Sequence, residues 1–280
     1  MKGYREITNE IIQKLSQGTI PWHQAWKSGL PANAVTHKAY RGVNIWLLAT
    51  YQYQSNLWLT YNQARLLGGF VKRGEHGRQI VFWKLLERED EETEEIETIP
   101  MLRTYTVFNL EQTTIESETR VVEPILSAQG IVDGYQGPAM EPGHPAYLPT
   151  TDTVTMPSIT AFDTADEYYS TLFHELSHST GHPSRLNRPL STGFRTDSYA
   201  EEEVIAEMSA SYLCAMAGTQ VYVRTMENSA AYIQHWIKRF QDNDRLVVCL
   251  SSKAQRASDW ILGITPHHAE PEPAMEEANL

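Results

Sequence analysis

Residues 174–182 read HELSHSTGH. Within five positions this stretch holds His174, Glu175 and His178. On an α-helix, residues i and i+4 lie one turn apart on the same face. Two imidazoles so spaced can offer nitrogens to a single cation, and Glu175 beside them can face a water at that ion. The neighbouring Tyr168, Tyr169, Leu172, Phe173 and Leu176 are apolar. They predict a partly buried helix over 165–180, where an imidazole needs a polar partner.

A catalytic zinc takes three protein ligands and keeps one position open. The stretch 198–217, SYAEEEVIAEMSASYLCAMA, predicts a second helix, with Ser198 as its cap, acids in its first turns and Gly218 at its end. Glu203 and Glu207 are again i and i+4 and share one face. We assign Glu203 as the third metal ligand and Glu207 as the group that fixes a histidine from behind. Glu201 and Glu202 read as solvated acids that complement the helix dipole. His182 does not read as a ligand, because a third histidine of the longer metal-binding pattern belongs six residues after His178, where Ser184 stands; it reads as a helix cap, with a substrate contact as the alternative. Two histidines with an adjacent glutamate form the zincin arrangement, with Glu175 as the general base. Zinc lowers the pKa of a bound water towards ~7. Manganese or cobalt is also compatible with these donors.

The rest of the chain is organised differently. Its net charge is −12 over 280 residues, but the charge is split. Residues 1–85 hold eleven Lys/Arg against three Glu, a net of +8, and the other 195 residues hold twelve Lys/Arg against 32 Asp/Glu, a net of −20. A polyanion responds to the local field rather than to the total, so a basic front and an acidic rear suggest two units with different partners. Hydrophobic content of 41% supports a packed core. Two cysteines, Cys214 and Cys249, make no disulfide framework and fit a reducing cytoplasm. The start of the chain lacks a signal-peptide pattern, and no stretch approaches the ~20 apolar residues needed to span a bilayer. The expectation is a soluble, cytoplasmic protein with no membrane partner.

Along the front, residues 4–16, 43–54 and 61–67 predict helices, and 78–85 and 103–109 a pair of strands. The acidic block 87–97 reads as a solvated loop or hairpin tip. Residues 126–150 are rich in turn-type Gly and Pro pairings and read as the crossing into the second unit. There, 152–159 predicts a strand, 226–241 and 252–262 two more helices, and the Pro- and Glu-rich tail 266–280 disorder. Single strands of nucleic acid are held by cationic grooves lined with aromatic rings on which bases stack. Trp22, Trp26, Lys38, Tyr40, Arg41, Lys72, Arg73 and Arg78 are the candidate DNA-binding residues. Trp46, Trp58 and Trp83 lie in apolar segments and read as core. The turn FVKRGEHGR (70–78) can approach phosphates but lacks the order of a nucleotide-binding P-loop.

Several stretches resemble, in order, the ArdC-type antirestriction proteins of conjugative plasmids and phages. In the front these are GTIPWHQAW (18–26), LPANAVTHKAYRGVN (30–44), WLTYNQARLLGGFVKRGEHG (58–77), IVFWK (80–84) and YTVFNLEQT (105–113). In the rear they are YLPTTDTVTMP (147–157), YYSTLFHELSHSTGHPSRLNR (168–188) and YAEEEVIAEMSASYL (199–213). The resemblance implies an α+β protein of two domains. The first, over 1–125 with the acidic insertion at 87–97, is a mixed α/β domain that binds single-stranded DNA. The second, over 126–265, is a mainly helical zincin-like metallopeptidase domain with a small sheet. It further implies a divalent metal at His174, His178 and Glu203, an unidentified protein substrate connected with restriction, and protection of incoming DNA. Two other readings stay open: a single-strand-binding protein whose metal is structural, and an inactive acidic module that mimics DNA.

Overall fold

The structure, a computed structural model, describes residues 2–23, 29–49, 51, 53–89, 96–116, 127–190, 197–221 and 230–264. Trp26 and the 266–280 tail lie outside the described residues. The architecture is α+β in two domains. The front contains α1 (Lys2–Ser16), β1 (Ala32–Asn33), α2 (Val43–Ala49), β2 (Leu57–Thr60), α3 (Tyr61–Leu66), β3 (Arg78–Glu89) and β4 (Ile96–Asn109). The rear contains α4 (Ala128–Gly134), β5 (Ala139–Pro142), β6 (Ala146–Leu148), β7 (Thr153–Met156), α5 (Ala165–Ser179), α6 (Asp197–Ala217), α7 (Ala230–Asp242) and α8 (Leu246–Ile261).

The front sheet runs β1-β2-β4-β3, with β1 parallel to β2 and the rest antiparallel. Its β3–β4 hairpin extends further than the sequence indicates. Glu87, Arg88 and Glu89 pair with Thr98, Glu97 and Ile96, so the ends of the acidic block are hairpin arms, and 90–95 lie outside the described residues. In the rear, β5-β7-β6 form a small sheet with β7 central and β6 at one edge. The stretch 126–150 is more than a crossing: it supplies α4, β5 and β6.

The two domains share a core. Ile7, Ile11 and Leu15, at helical spacing on α1, are buried together with Trp22 and Trp46 against Val204, Met208 and Tyr212 of α6, Trp236 and Phe240 of α7, and Val247 of α8. Trp46 stacks on Tyr212 with centroids 4.7 Å apart and planes 19° from parallel. A second core lies within the rear and joins Val154 of β7, Leu172, Phe173 and Leu176 of α5, Leu213 and Cys214 of α6, and Ile261 of α8. Helix α6 therefore packs on both sides, which explains why its apolar residues do not form a single stripe. Polar contacts reinforce the seam. Arg41 pairs with buried Asp259 on α8, Tyr212 donates to the carbonyl of Gly42 (3.1 Å), and Gln255 accepts from the Gly42 amide (3.1 Å). No helix among the described residues is long and apolar enough to cross a membrane.

Candidate metal centre and nucleic-acid surface

Helix α5 starts where the sequence allows it to. The Thr164 side chain accepts from the Glu167 amide (3.1 Å), and Asp166 and Glu167 occupy the positive end of the helix dipole. Its apolar residues bury it against β7 and α6, and one turn beyond Ser170 its polar face carries His174 and His178. The first turns of α6 approach that face.

His174 Nε2 and His178 Nε2 stand 3.1 Å apart, and Glu203 offers Oε2 at 3.5 Å to the first and Oε1 at 3.6 Å to the second. Tetrahedral ligands placed 2.0–2.1 Å from one ion stand about 3.3 Å from each other. The three separations bracket that value, so the donor set fits a metal. Among the described residues this is the one cluster of three such donors, with all three atoms within 4.8 Å. Burial alone would raise the Glu203 carboxyl. Hydrogen bonds from His174 and Tyr199 and the charges of the two imidazoles outweigh it and hold the pKa at about 2. The carboxylate therefore stays ionised and ready to coordinate.

Behind the histidines, the roles of the glutamates differ from those read in the sequence. Glu202, expected to be solvated, is buried, and its Oε1 lies 3.3 Å from His178 Nδ1. Arg188 donates to it twice, from Nε (2.9 Å) and Nη2 (2.6 Å). Burial would raise the Glu202 carboxyl, but these bonds from Arg188 and the contact with His178 bring it below the usual carboxylate range. An ionised Glu202 favours the tautomer of His178 with its proton on Nδ1, which turns the Nε2 lone pair towards Glu203. Glu207, expected in this role, faces the front domain instead. Its Oε2 accepts from Trp22 Nε1 (2.7 Å) and Tyr232 Oη (2.7 Å) and lies 3.2 Å from His23 Nε2. Glu201, expected to be solvated, pairs with Arg239 of α7. The helix turns by 100° per residue, so which acid meets the ring depends on how α6 is rotated in its groove.

Glu175 is buried beside the cluster, and its Oε2 accepts the amide of Tyr147 on β6 (3.0 Å). Tyr147 is itself held by its hydroxyl, which donates to Asp152 Oδ1 (2.8 Å), and Arg185 pairs with Asp152. His182 contacts Ser184 Oγ (2.7 Å) and lies outside the donor cluster.

The front-domain candidates divide. Trp22 and Tyr40 are buried, so neither presents a ring face for stacking, and the expectation that they do is corrected. Arg41 is exposed, but its guanidinium is committed to Asp259. Arg78 lies over the Tyr51 ring, 3.8 Å from its centroid. Lys38, Lys72 and Arg73 are exposed. The described part of the Pro- and Trp-rich loop, through Trp22 and Arg41, thus lies at the seam between domains, a role its composition does not reveal. Trp46 and Trp58 are core, as read. Exposed rings lie elsewhere, at Tyr61, Phe70, Phe82 and Tyr105.

The fold and the donor cluster together describe a metallopeptidase-like domain joined to a mixed α/β domain, and comparison with known proteins agrees. Residues 1–108 match the N-terminal domain of anti-restriction factor ArdC, and residues 138–253 match the zincin-like metallopeptidase family MPTase-PolyVal. The crystal structure of metal-free antirestriction protein ArdC from plasmid R388 is similar with a TM-score of 0.79 and 35% identity, over 93% of this chain and 97% of that one. Its Mn(II)-bound structure gives 0.76 and 33%, over 96% and 100%. The uncharacterized protein y4eC of Sinorhizobium fredii (strain NBRC 101917 / NGR234) is 32% identical over 92% of this chain and 91% of its own. A DNA primase TraC of Escherichia coli is 31% identical over 92% of this chain but only 27% of the primase, so the chain spans about a quarter of that relative. The chain belongs to the ArdC antirestriction family, and its zincin-like domain implies a metal.

Proposed function

We propose that this protein binds single-stranded DNA without sequence preference through its front domain, and that its rear domain hydrolyses peptide bonds with a divalent metal, zinc by preference, on behalf of incoming plasmid or phage DNA. The observation that carries the hydrolytic reading is the convergence of His174, His178 and Glu203 at tetrahedral spacing with the buried Glu175 beside them. In this reading His174, His178 and Glu203 hold the ion, which supplies Lewis acidity and a water of lowered pKa. Glu175 is the general base: its carboxylate, oriented by the Tyr147 amide at Oε2, takes a proton from the attacking water and returns it to the leaving amine. Glu202 and Arg188 keep His178 in the ligating tautomer. A purely structural metal has no use for a buried carboxylate next to its ligands, which favours catalysis over the structural alternative. The basic front and the family membership support the DNA reading. A strand held in front brings the hydrolytic site to proteins that attack that strand.

The test separates metal from chemistry. Purified wild type, His174→Ala and Glu175→Gln are assayed for bound metal and for cleavage of unfolded casein, with and without an oligothymidine strand. We expect His174→Ala to lose metal, and Glu175→Gln to keep it while losing cleavage by at least about a hundredfold. Undiminished protection of transferred DNA by Glu175→Gln in cells would show that hydrolysis is not the biological role.

A further inference from the structure

We propose that the single-stranded DNA track lies on the edge formed by α3 and the turn that follows it, with Tyr61 and Phe70 as stacking platforms and Arg65, Lys72 and Arg73 as phosphate contacts. This rests on the single-strand reading above and specifies its site, away from the Trp-rich loop that the sequence favours. Three of its described candidates are occupied. Trp22 donates to Glu207, Arg41 pairs with Asp259, and Tyr40 is buried, so rebuilding it as a DNA site means opening the seam between the domains.

The α3 edge has the opposite character. Tyr61 is 51% exposed and Phe70 60%, although aromatic rings are normally drawn into cores. Tyr61 and Arg65 are i and i+4 on α3, so a ring and a guanidinium share one helix face. Residues 70–72 run alongside 112–114: the Thr114 amide donates to the Phe70 carbonyl (3.0 Å), the Lys72 amide to the Gln112 carbonyl (2.9 Å), and Val71 bridges Thr113. In an extended segment alternate side chains face the same way, so Phe70 and Lys72 point to one side, and both are exposed.

The backbone that presents them is fixed. Thr60 and Gln63 close a capping box at the start of α3, and Thr114 Oγ1 accepts the Phe70 amide (3.1 Å). The backbone that carries the rings is therefore set before a base arrives, which lowers the entropic penalty of binding.

Charge selects the occupant. Among the described residues, the exposed side chains of Arg65 and Arg73 have no hydrogen-bond or ion-pair partner. The nearby carboxylates are held by neutral donors, Glu75 by Gln112 (2.8 Å) and Glu111 by the Ser55 amide (2.6 Å), and Lys72 Nζ donates to the Glu111 carbonyl (2.9 Å), so three cations stand against two acids on this edge. Exposed cations set among exposed rings match a chain that alternates phosphates with flat bases. A duplex offers its phosphates but keeps its base faces stacked inside, so it cannot use the rings.

The experiment is fluorescence anisotropy of a labelled oligothymidine strand with the full chain, as wild type, Tyr61→Ala, Phe70→Ala and Arg65→Gln/Arg73→Gln, at two salt concentrations. All four residues are exposed, and far-UV circular dichroism together with bound-metal content confirms an intact fold. We expect each ring deletion to weaken binding about tenfold, and the double arginine variant to reduce the slope of log affinity against log salt by about 1.4. A duplex of the same length should show little response to the ring deletions. If wild type binds the strand and the variants bind equally well, the track lies elsewhere and the proposal is overturned, while the single-strand reading stands. If wild type fails to bind at low salt, the single-strand reading itself fails. If Phe70→Ala instead dissociates a dimer in sedimentation with DNA affinity unchanged, the edge is a contact between copies and the proposal is likewise overturned.

Discussion

Arg188 supplies the most demanding prediction about the metal centre. It donates twice to Glu202, once to Thr180 Oγ1 (2.7 Å) and once to the Ser177 carbonyl (3.0 Å), and both members of the ion pair are 8% exposed. Arg188→Met keeps much of the side-chain volume and removes the charge, so Glu202 is left as a buried carboxylate without its guanidinium partner. Removing one partner of a buried pair destabilises by about 3–5 kcal/mol. The surviving contact with His178 (3.3 Å) places the expectation near the lower bound, about 3 kcal/mol. Replacing both members, Arg188→Met with Glu202→Leu, removes the stranded charge and should recover most of that loss, because an apolar pair of similar volume is close to neutral. The assay is urea unfolding of metal-stripped protein, followed by circular dichroism, with the slope on denaturant checked to be unchanged. The metal-loaded arm uses Glu202→Ala, which leaves His178 Nδ1 without its acceptor and should weaken metal affinity 10- to 100-fold in competition with a chromophoric chelator. The reasoning is refuted if Arg188→Met loses less than about 1 kcal/mol, or if the double variant is less stable than the single one.

Three other outcomes follow from the same geometry. Trp22→Phe removes a hydrogen bond to the buried Glu207 carboxylate and should destabilise by about 1.5–3 kcal/mol in urea unfolding, while leaving single-strand affinity unchanged; a loss of DNA affinity without a loss of stability would contradict its place in the seam. Glu202 and Glu203 both have folded pKa values below the ordinary carboxylate range, Glu203 at about 2. Their stabilisation is therefore fully present above their unfolded values near ~4.3 and is lost as pH falls from there towards the folded values. Acid unfolding of the metal-free protein should steepen in that window, and Glu203→Gln should flatten the response. Cys249 is exposed, whereas burial pushes the Cys214 thiol up to about 11. A thiol reagent at neutral pH should accordingly modify one cysteine in the native protein and both only after denaturation.

Local chemistry carried much of the reading. The spacing of His174, Glu175 and His178, the cap and apolar stripe of α5, and the acids at the start of α6 are all written within single helices. The charge split between a basic front and an acidic rear indicated two units, and the family resemblance implied their α+β class. Elements that lean on distant partners were less legible. Strands β1, β2, β5 and β6 are two to four residues long, too short to carry a period of their own, and they exist because a neighbouring strand completes their hydrogen bonds. Helix α8 begins at Leu246, six residues before the stretch read from the sequence, because Val247, Val248 and Leu250 find burial in the shared core.

The chain by itself determined which side chains lie on one turn of one helix, since helical geometry sets those distances within four residues. Tertiary structure alone decided how α6 is rotated against α5. That rotation gives Glu203 to both imidazoles, Glu202 to the back of His178 and Glu207 to Trp22, although three adjacent acids and one a turn later look alike in sequence. It also decided that Trp22 is buried against the rear domain and that the exposed Arg41 is tied to it through Asp259. A tryptophan or an arginine in a polar loop reads the same whether it meets water, a nucleotide or a buried carboxylate, and only the packing of residues some two hundred positions away selects among them.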